Sequence, residues 1–278
     1  MKKRRVAVVG CGVVGGAVSD GMERLGHKVF RHDPTLYSTD TTDVKIFKPD
    51  ITFVCVPTPQ NLDGSCDTSI VEEVVRELTE IQTTGIIAIK STVTPGTTQR
   101  LIEQYTPRSL MPKYSPIAFV PEFLREKSAF YDFTEGHDTC AIGTDSDYVY
   151  HKIREAHGHY PKEFFKVSPT EAELVKYFSN VFNAMRVVFA NGFYDVCKGL
   201  GADYTKVKNA AASRPTLNGL YLDCNDGFRG FGGVCLPKDT AAFAKLAKDL
   251  GVDAKIFETI VNDNKIYKPT VFDGMRMS

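Results

Sequence analysis

The sequence predicts an α/β fold in which a doubly wound parallel sheet occupies residues 1–165. An all-α domain with one long helix follows over residues 166–268, and a short tail over 269–278. Three observations predict it. Residues 4–33, "RRVAVVGCGVVGGAVSDGMERLGHKVFRHD", read as strand, glycine-rich turn, amphipathic helix and second strand, which is a βαβ unit. The apolar runs "DITFVCVPTP" and "GIIAIKSTVTPGTT" are nearly continuous, as in strands covered on both faces. From Pro169 the apolar residues move to three- and four-residue steps and keep them to Gly199.

Composition narrows the classes of function. With 34 acidic and 34 basic side chains there is no bulk field to draw the chain to nucleic acid or an anionic membrane, so neither partner is expected. The opening "MKKRRVAVVG" is basic, but its apolar run is too short for a signal-peptide core, and the expectation is a cytosolic (cytoplasmic) protein. Seven cysteines are scattered without Cys-x-x-Cys or histidine spacing, which predicts neither disulfides nor a metal site. No run is long enough to cross a bilayer.

In the first element, Gly10, Gly12 and Gly15 form a Gly-x-Gly-x-x-Gly turn that follows an apolar strand and opens a helix, with Val13 and Val14 at the helix start. An acidic residue, Asp33, falls about 20 residues on, at the end of the second strand. This is the Rossmann-type fingerprint, and each part has a task. Gly10 permits the tight turn, Gly12 lets backbone approach a pyrophosphate, Gly15 lets helix pack on strand, and the helix N-terminus offers free N–H groups to the phosphates. Asp33 suits the ribose hydroxyls of NAD and repels the 2′-phosphate of NADP, although Arg31 and His32 just before it weaken that preference.

The next strands break at "PTP" and "STVTPG", leaving Thr58 and Thr92 where such sheets bind ligands; a threonine at a strand end is more often an ordinary helix cap, so neither is singled out on its own. "TSIVEEVVRELTEI" between them is a helical pattern. "CAIGTD" reads as the last strand and "YVYHKIREAHG" as the closing helix.

The long helix after Pro169 puts Lys176 and Asn180 four residues apart on one face, either as a solvated stripe or as a cation and an amide donor for an oxyanion. A rod of about 45 Å at 1.5 Å per residue outgrows its own domain, so a homodimer through it is expected. Two helices, "DYTKVKNAAAS" and "KDTAAFAKLAKDLG", flank "GFRGFGGVCLPKDT", and "DAKIFETIVNDNKIYK" follows. Cys235 has glycines before it and Lys238 and Asp239 after it, a setting for a nucleophilic thiol. A plain glycine turn holding a small hydrophobe is the alternative.

Taken together, "CVPTP", "KSTVTPGTT", "PEFLRE", "EAELVKYFSN" and "GFGGVCLPKD", in that order on a dinucleotide fold, make the chain resemble the UDP-glucose/GDP-mannose dehydrogenase family from the first strand to about Lys268. The resemblance implies NAD-dependent four-electron oxidation of a sugar C6 alcohol to a carboxylate by way of a cysteine-bound aldehyde. By motif matching, Cys235 is then the nucleophile, Lys176 and Asn180 flank the reacting oxygen, and Asp239 positions water or assists proton transfer. Glu122 of "PEFLRE" serves thioester hydrolysis, and Thr92, Thr58, Glu126 and Lys238 fall at the cofactor. Phe123, Leu124, Phe228, Gly232 and Arg214 fall among the substrate contacts, Arg214 at a position that reaches a partner subunit's sugar site.

Members of that family continue into a third domain that grips the nucleotide, whereas this sequence stops at Ser278 with "PTVFDGMRMS" after the last helix. The expectation is a truncated form, with "LYLDCNDGF" or a partner chain supplying the lost contacts. Two other readings use the same residues. A two-domain 3-hydroxyacid dehydrogenase would also present a lysine and an asparagine four apart but needs no thiol. A catalytically silent NAD-binding partner protein would need none of the reactive groups.

Overall fold

The computed structural model describes residues 2–83, 85–106 and 115–270. Of the expected tail, only Pro269 and Thr270 fall among them. The chain divides into two compact units: residues 1–59 with 67–176, and residues 60–66 with 177–278.

In the first unit, β1 (Arg5–Val9) leads through a tight turn into α1 (Val13–Arg24) and back into β2 (Lys28–His32). α2 (Thr41–Phe47) and β3 (Ile51–Val54) follow, then α3 (Ser69–Glu80), β4 (Ile86–Ile89), α4 (Thr97–Tyr105) and β5 (Ile117–Phe119). After a short 3-10 turn at Glu126–Ser128 come α5 (Ala129–Phe133), β6 (Thr139–Gly143), α6 (Asp147–His157) and β7 (Glu163–Val167). Among the described residues the seven strands lie in the order β2-β1-β3-β4-β5-β6-β7. Every neighbouring pair is parallel except β5 and β6.

Alternation along the strands explains why they read as unbroken apolar runs. Val6, Val8, Ile51, Phe53, Ile86 and Ala88 pack into one core. Their sequence neighbours Ala7, Val9, Val54, Ile87 and Ile89 pack into another on the opposite face. Both faces are buried, so these strands are apolar almost throughout, with Thr52 of β3 the buried exception. α3 meets the sheet with Val71, Val75 and Leu78, its fully buried positions at three- and four-residue steps.

The structure corrects the sequence reading of this half at several points. β6 is not the last strand: β7 adds an edge, and with three of its five residues exposed it gives a weak apolar signal. The run "GIIAIKSTVTPGTT" is strand only to Ile89, because Pro95 and the left-handed Gly96 (φ 97°) turn the chain into α4. α2, begun by a reciprocal Asp40–Asp43 capping box, was not foreseen; it is only seven residues long.

α7 (Pro169–Gly199) runs for 31 residues, and the boundary between the units falls inside it, after Lys176. α8 (Tyr204–Ala212), α9 (Cys235–Asp249) and α10 (Ile256–Asn264) follow in the second unit. Val181, Ala184 and Val187 of α7 pack there with Phe231, Leu236 and Ile260. Among the described residues no helix is long and apolar enough to cross a membrane.

Candidate active site

The glycine-rich turn has the shape its sequence implies. Gly10 takes φ 85°, and a Cβ on it would lie 2.7 Å from the Cys55 carbonyl oxygen, so no other residue fits. A Cβ on Gly15 would strike the Gly10 carbonyl at 1.8 Å, which is why α1 can sit so close to the turn. At Gly12, the N-cap of α1, a Cβ would meet nothing within 4 Å, and no side chain caps the helix. Open space beside uncapped N–H groups fits a pyrophosphate. Val13 is exposed and Val14 half-buried at the same end.

Asp33 stands at the turn's edge. One carboxylate oxygen accepts from the Cys11 amide (2.8 Å) and the other from the Thr35 amide (2.9 Å) and hydroxyl (2.7 Å). The Cys11 bond first, then those from Thr35, holds its carboxyl below the usual range, so it is anionic at neutral pH. Arg31 is bound instead to Glu23 (2.6 Å) and Asp20 (2.8 Å) of α1. Thr58 and Thr92, both half-buried, follow β3 and β4, and Glu126 is exposed on the 3-10 turn.

A second group of predicted residues comes together beyond β5. Lys176 is 3% exposed and Glu122 8%; the Lys176 Nζ donates to the Glu122 carbonyl (2.7 Å) and to its Oε1 (2.8 Å). The other carboxylate oxygen accepts from the Leu124 amide (2.6 Å), and the Phe123 ring lies 5.7 Å from the same ammonium. A buried pair with all these groups engaged is held in one geometry.

In the second unit Asn180, one turn beyond Lys176 on α7, donates to Asp239 Oδ2 at 2.6 Å. Asp239 is fully buried, and Lys238 Nζ lies 2.7 Å from its Oδ1 and 3.9 Å from the Cys66 sulfur. Cys235 is exposed and is the first residue of α9. The sequence reading starts this helix at Lys238, yet the first turn tolerates Pro237, because the N–H it lacks would have no helical partner there. The sulfur thus sits at the positive end of a helix dipole. Gly232 is buried, with a Cβ on it 3.1 Å from the Thr270 carbonyl oxygen, and Phe228 is half-buried in the turn before it. Arg214 is exposed just past α8.

Two residues that build these groups are not among those the sequence singles out. Asn264 grips the glycine loop ahead of Cys235, accepting from the Phe231 amide (2.7 Å) and donating to its carbonyl (2.9 Å). Glu173, fully buried on α7, accepts from the Gly96 (2.6 Å) and Thr98 (2.7 Å) amides and so caps α4, which has no cap of its own. A carboxylate three residues before Lys176 on an apolar helix is the one available sign of it.

Residues 31–160 match the NAD binding domain model of the UDP-glucose/GDP-mannose dehydrogenase family, and residues 170–266 match that family's central domain. The chain is 30% identical over 245 residues to UDP-glucose 6-dehydrogenase TuaD of Bacillus subtilis, which takes in 87% of this chain and 52% of that protein. It therefore spans about half the length of that relative. A UDP-glucose dehydrogenase structure from Pyrobaculum islandicum superposes with a TM-score of 0.84 at 28% identity, covering 95% of this chain and 68% of that one. A 3-hydroxyisobutyrate dehydrogenase from Mycobacterium tuberculosis shares the fold, with a TM-score of 0.70 at 15% identity over 95% of this chain and 94% of that one. With both family models matched in order over most of its length, the chain belongs to the UDP-glucose/GDP-mannose dehydrogenase family.

Proposed function

We propose that the chain oxidises the C6 alcohol of a nucleotide sugar to a carboxylate, with NAD as oxidant and Cys235 as covalent nucleophile. The observation that carries this reading is the placement of Cys235: an exposed sulfur at the first position of α9, with buried Asp239 one turn on and bonded to Asn180. The Gly10–Gly15 turn and Asp33 would hold NAD, which when bound supplies the hydride acceptor.

The side chains then divide the work. Lys176 and Asn180 steady the developing oxyanion at C6, a cation and an amide donor on one helix face. The hydrogen left on the aldehyde carbon can leave as hydride only once that carbon is tetrahedral; addition of the Cys235 thiolate, with a proton taken up at the oxygen, makes that thiohemiacetal. Oxidation leaves a thioester, which water cleaves to carboxylate and free thiol; Glu122 serves as base for that water, and Asp239 positions it or relays the proton. Thr92, Thr58, Glu126 and Lys238 are assigned to cofactor contacts. Phe123, Leu124, Phe228, Gly232 and Arg214 are assigned to the substrate.

Purified protein incubated with NAD and either UDP-glucose or GDP-mannose tests the reading. Two NADH should form per carboxylate released, and Cys235→Ala should release no carboxylate while binding NAD as the parent does. One NADH per turnover, with Cys235→Ala unaffected, would point instead to a single two-electron oxidation of a hydroxyacid type.

A further inference from the structure

Lys90 directly follows β4 and is 2% exposed. An ammonium taken out of water at such a place is costly unless its donors are used, and burial lowers its proton affinity. Methionine would fill the same space without that cost. The Lys90 Nζ donates to the carbonyls of Val120 (3.1 Å) and Pro121 (3.4 Å), and the Phe53 and Phe133 rings lie 5.7 and 5.9 Å from it.

Those two carbonyls belong to the residues just before Glu122. The strand ladder ends there: the Val120 amide donates to the Ile89 carbonyl at 2.7 Å, and Pro121 has no N–H to continue it. Past that point the backbone is held through its oxygens, those of residues 120 and 121 by Lys90 and that of residue 122 by Lys176. We infer that Lys90 is a positioning residue for the Glu122–Lys176 pair, fixing the segment 120–122 so that the Glu122 carboxylate is presented to Lys176. The catalytic consequence rests on the function proposed above; the positioning itself does not.

The test is Lys90→Met in the full chain, with Lys90→Arg as the conservative rescue. Hydrogen exchange is read at the Leu124 amide, which reports on the Glu122 carboxylate it bonds. Exchange at residues 122–126 should quicken about tenfold or more while β1 and β3 keep their protection. NAD affinity should stay within about twofold and kcat on the nucleotide sugar should fall about tenfold, with Lys90→Arg recovering part of both losses. Unchanged exchange at Leu124, or equally faster exchange over the whole sheet, overturns the inference. If Lys90→Met does not fold, Lys90→Gln takes its place, and failure of both to fold also overturns it, because the ammonium would then serve the sheet as a whole. A parent protein that oxidises no nucleotide sugar sinks the proposed function and leaves the exchange result to decide the role of Lys90.

Discussion

Arg31 and Asp33 are two residues apart, yet they are bound on different sides of β2's end, Arg31 to α1 and Asp33 to the glycine turn. An arginine already shared between two carboxylates is not available to a 2′-phosphate. NAD should therefore bind at least about tenfold more tightly than NADP, roughly 1.4 kcal/mol. Calorimetry giving equal dissociation constants would remove Asp33 from the cofactor site. The Glu122–Lys176 pair makes a different kind of prediction. Lys176→Met leaves a buried carboxylate without its cation and should cost about 3–5 kcal/mol in urea unfolding, whereas Glu122→Gln combined with Lys176→Met should recover much of that loss. Additive losses in the double variant would show that the two residues are not coupled. Glycine turn, Asp33, Lys176, Asn180 and Cys235 were legible in the sequence because each sits in a local pattern. Lys90 and Glu173 lie inside the quoted stretches "KSTVTPGTT" and "EAELVKYFSN", yet their roles were not legible, since these are set by carbonyls and amides 30 and 75 or more residues away.

α7 is the element on which most depends. Its outward residues Phe178, Phe182, Phe189, Phe193 and Val196 recur at three-, four- and seven-residue steps and are all exposed, Phe178 at 74%, and Leu200 just past its end continues the stripe at 79%. An apolar stripe of that length is rare on a monomer's surface, and it supports our proposal of a homodimer through this helix. Phe182→Asp with Phe189→Asp should yield a monomer in sedimentation while NAD binding persists; a parent that sediments as a monomer would dismiss the idea. Glu173, on the inner side of the same helix, replaces the cap that α4 lacks, so Glu173→Ala should lower stability by about 1–2 kcal/mol in chemical unfolding. The long helix and the βαβ strands were readable because periodicity accumulates over many residues. β7 and α2 were not: the one is a short edge strand with little apolar contrast, the other a seven-residue helix.

At the scale of the molecule, acid should unfold the sheet unit through its histidines. His157 is fully buried, with Nδ1 donating to the Ile153 carbonyl, and burial followed by the Lys90 charge holds its pKa well below the usual value. The same two causes lower His137 to about 4, and burial lowers His27, whose Nδ1 accepts the Arg4 amide. Because each group binds its proton more weakly folded than unfolded, the stability they contribute is complete above about pH 6.5 and is lost as pH falls toward 4. Urea midpoints at pH 7.5 and 5 should differ in that direction; a flat profile would mean that these rings bind protons equally well folded and unfolded. The cysteines carry one more consequence. Burial first pushes the Cys11 thiol up to about 11 and those of Cys55 and Cys140 to about 12, and Cys66, Cys197 and Cys224 are buried. Near neutral pH an alkylating reagent should therefore find a single fast-reacting sulfur, and mass spectrometry after brief iodoacetamide treatment should place the label on Cys235. A fluorophore carried by such a reagent would make the unmutated protein its own reporter, brightening or dimming as ligands arrive at the head of α9.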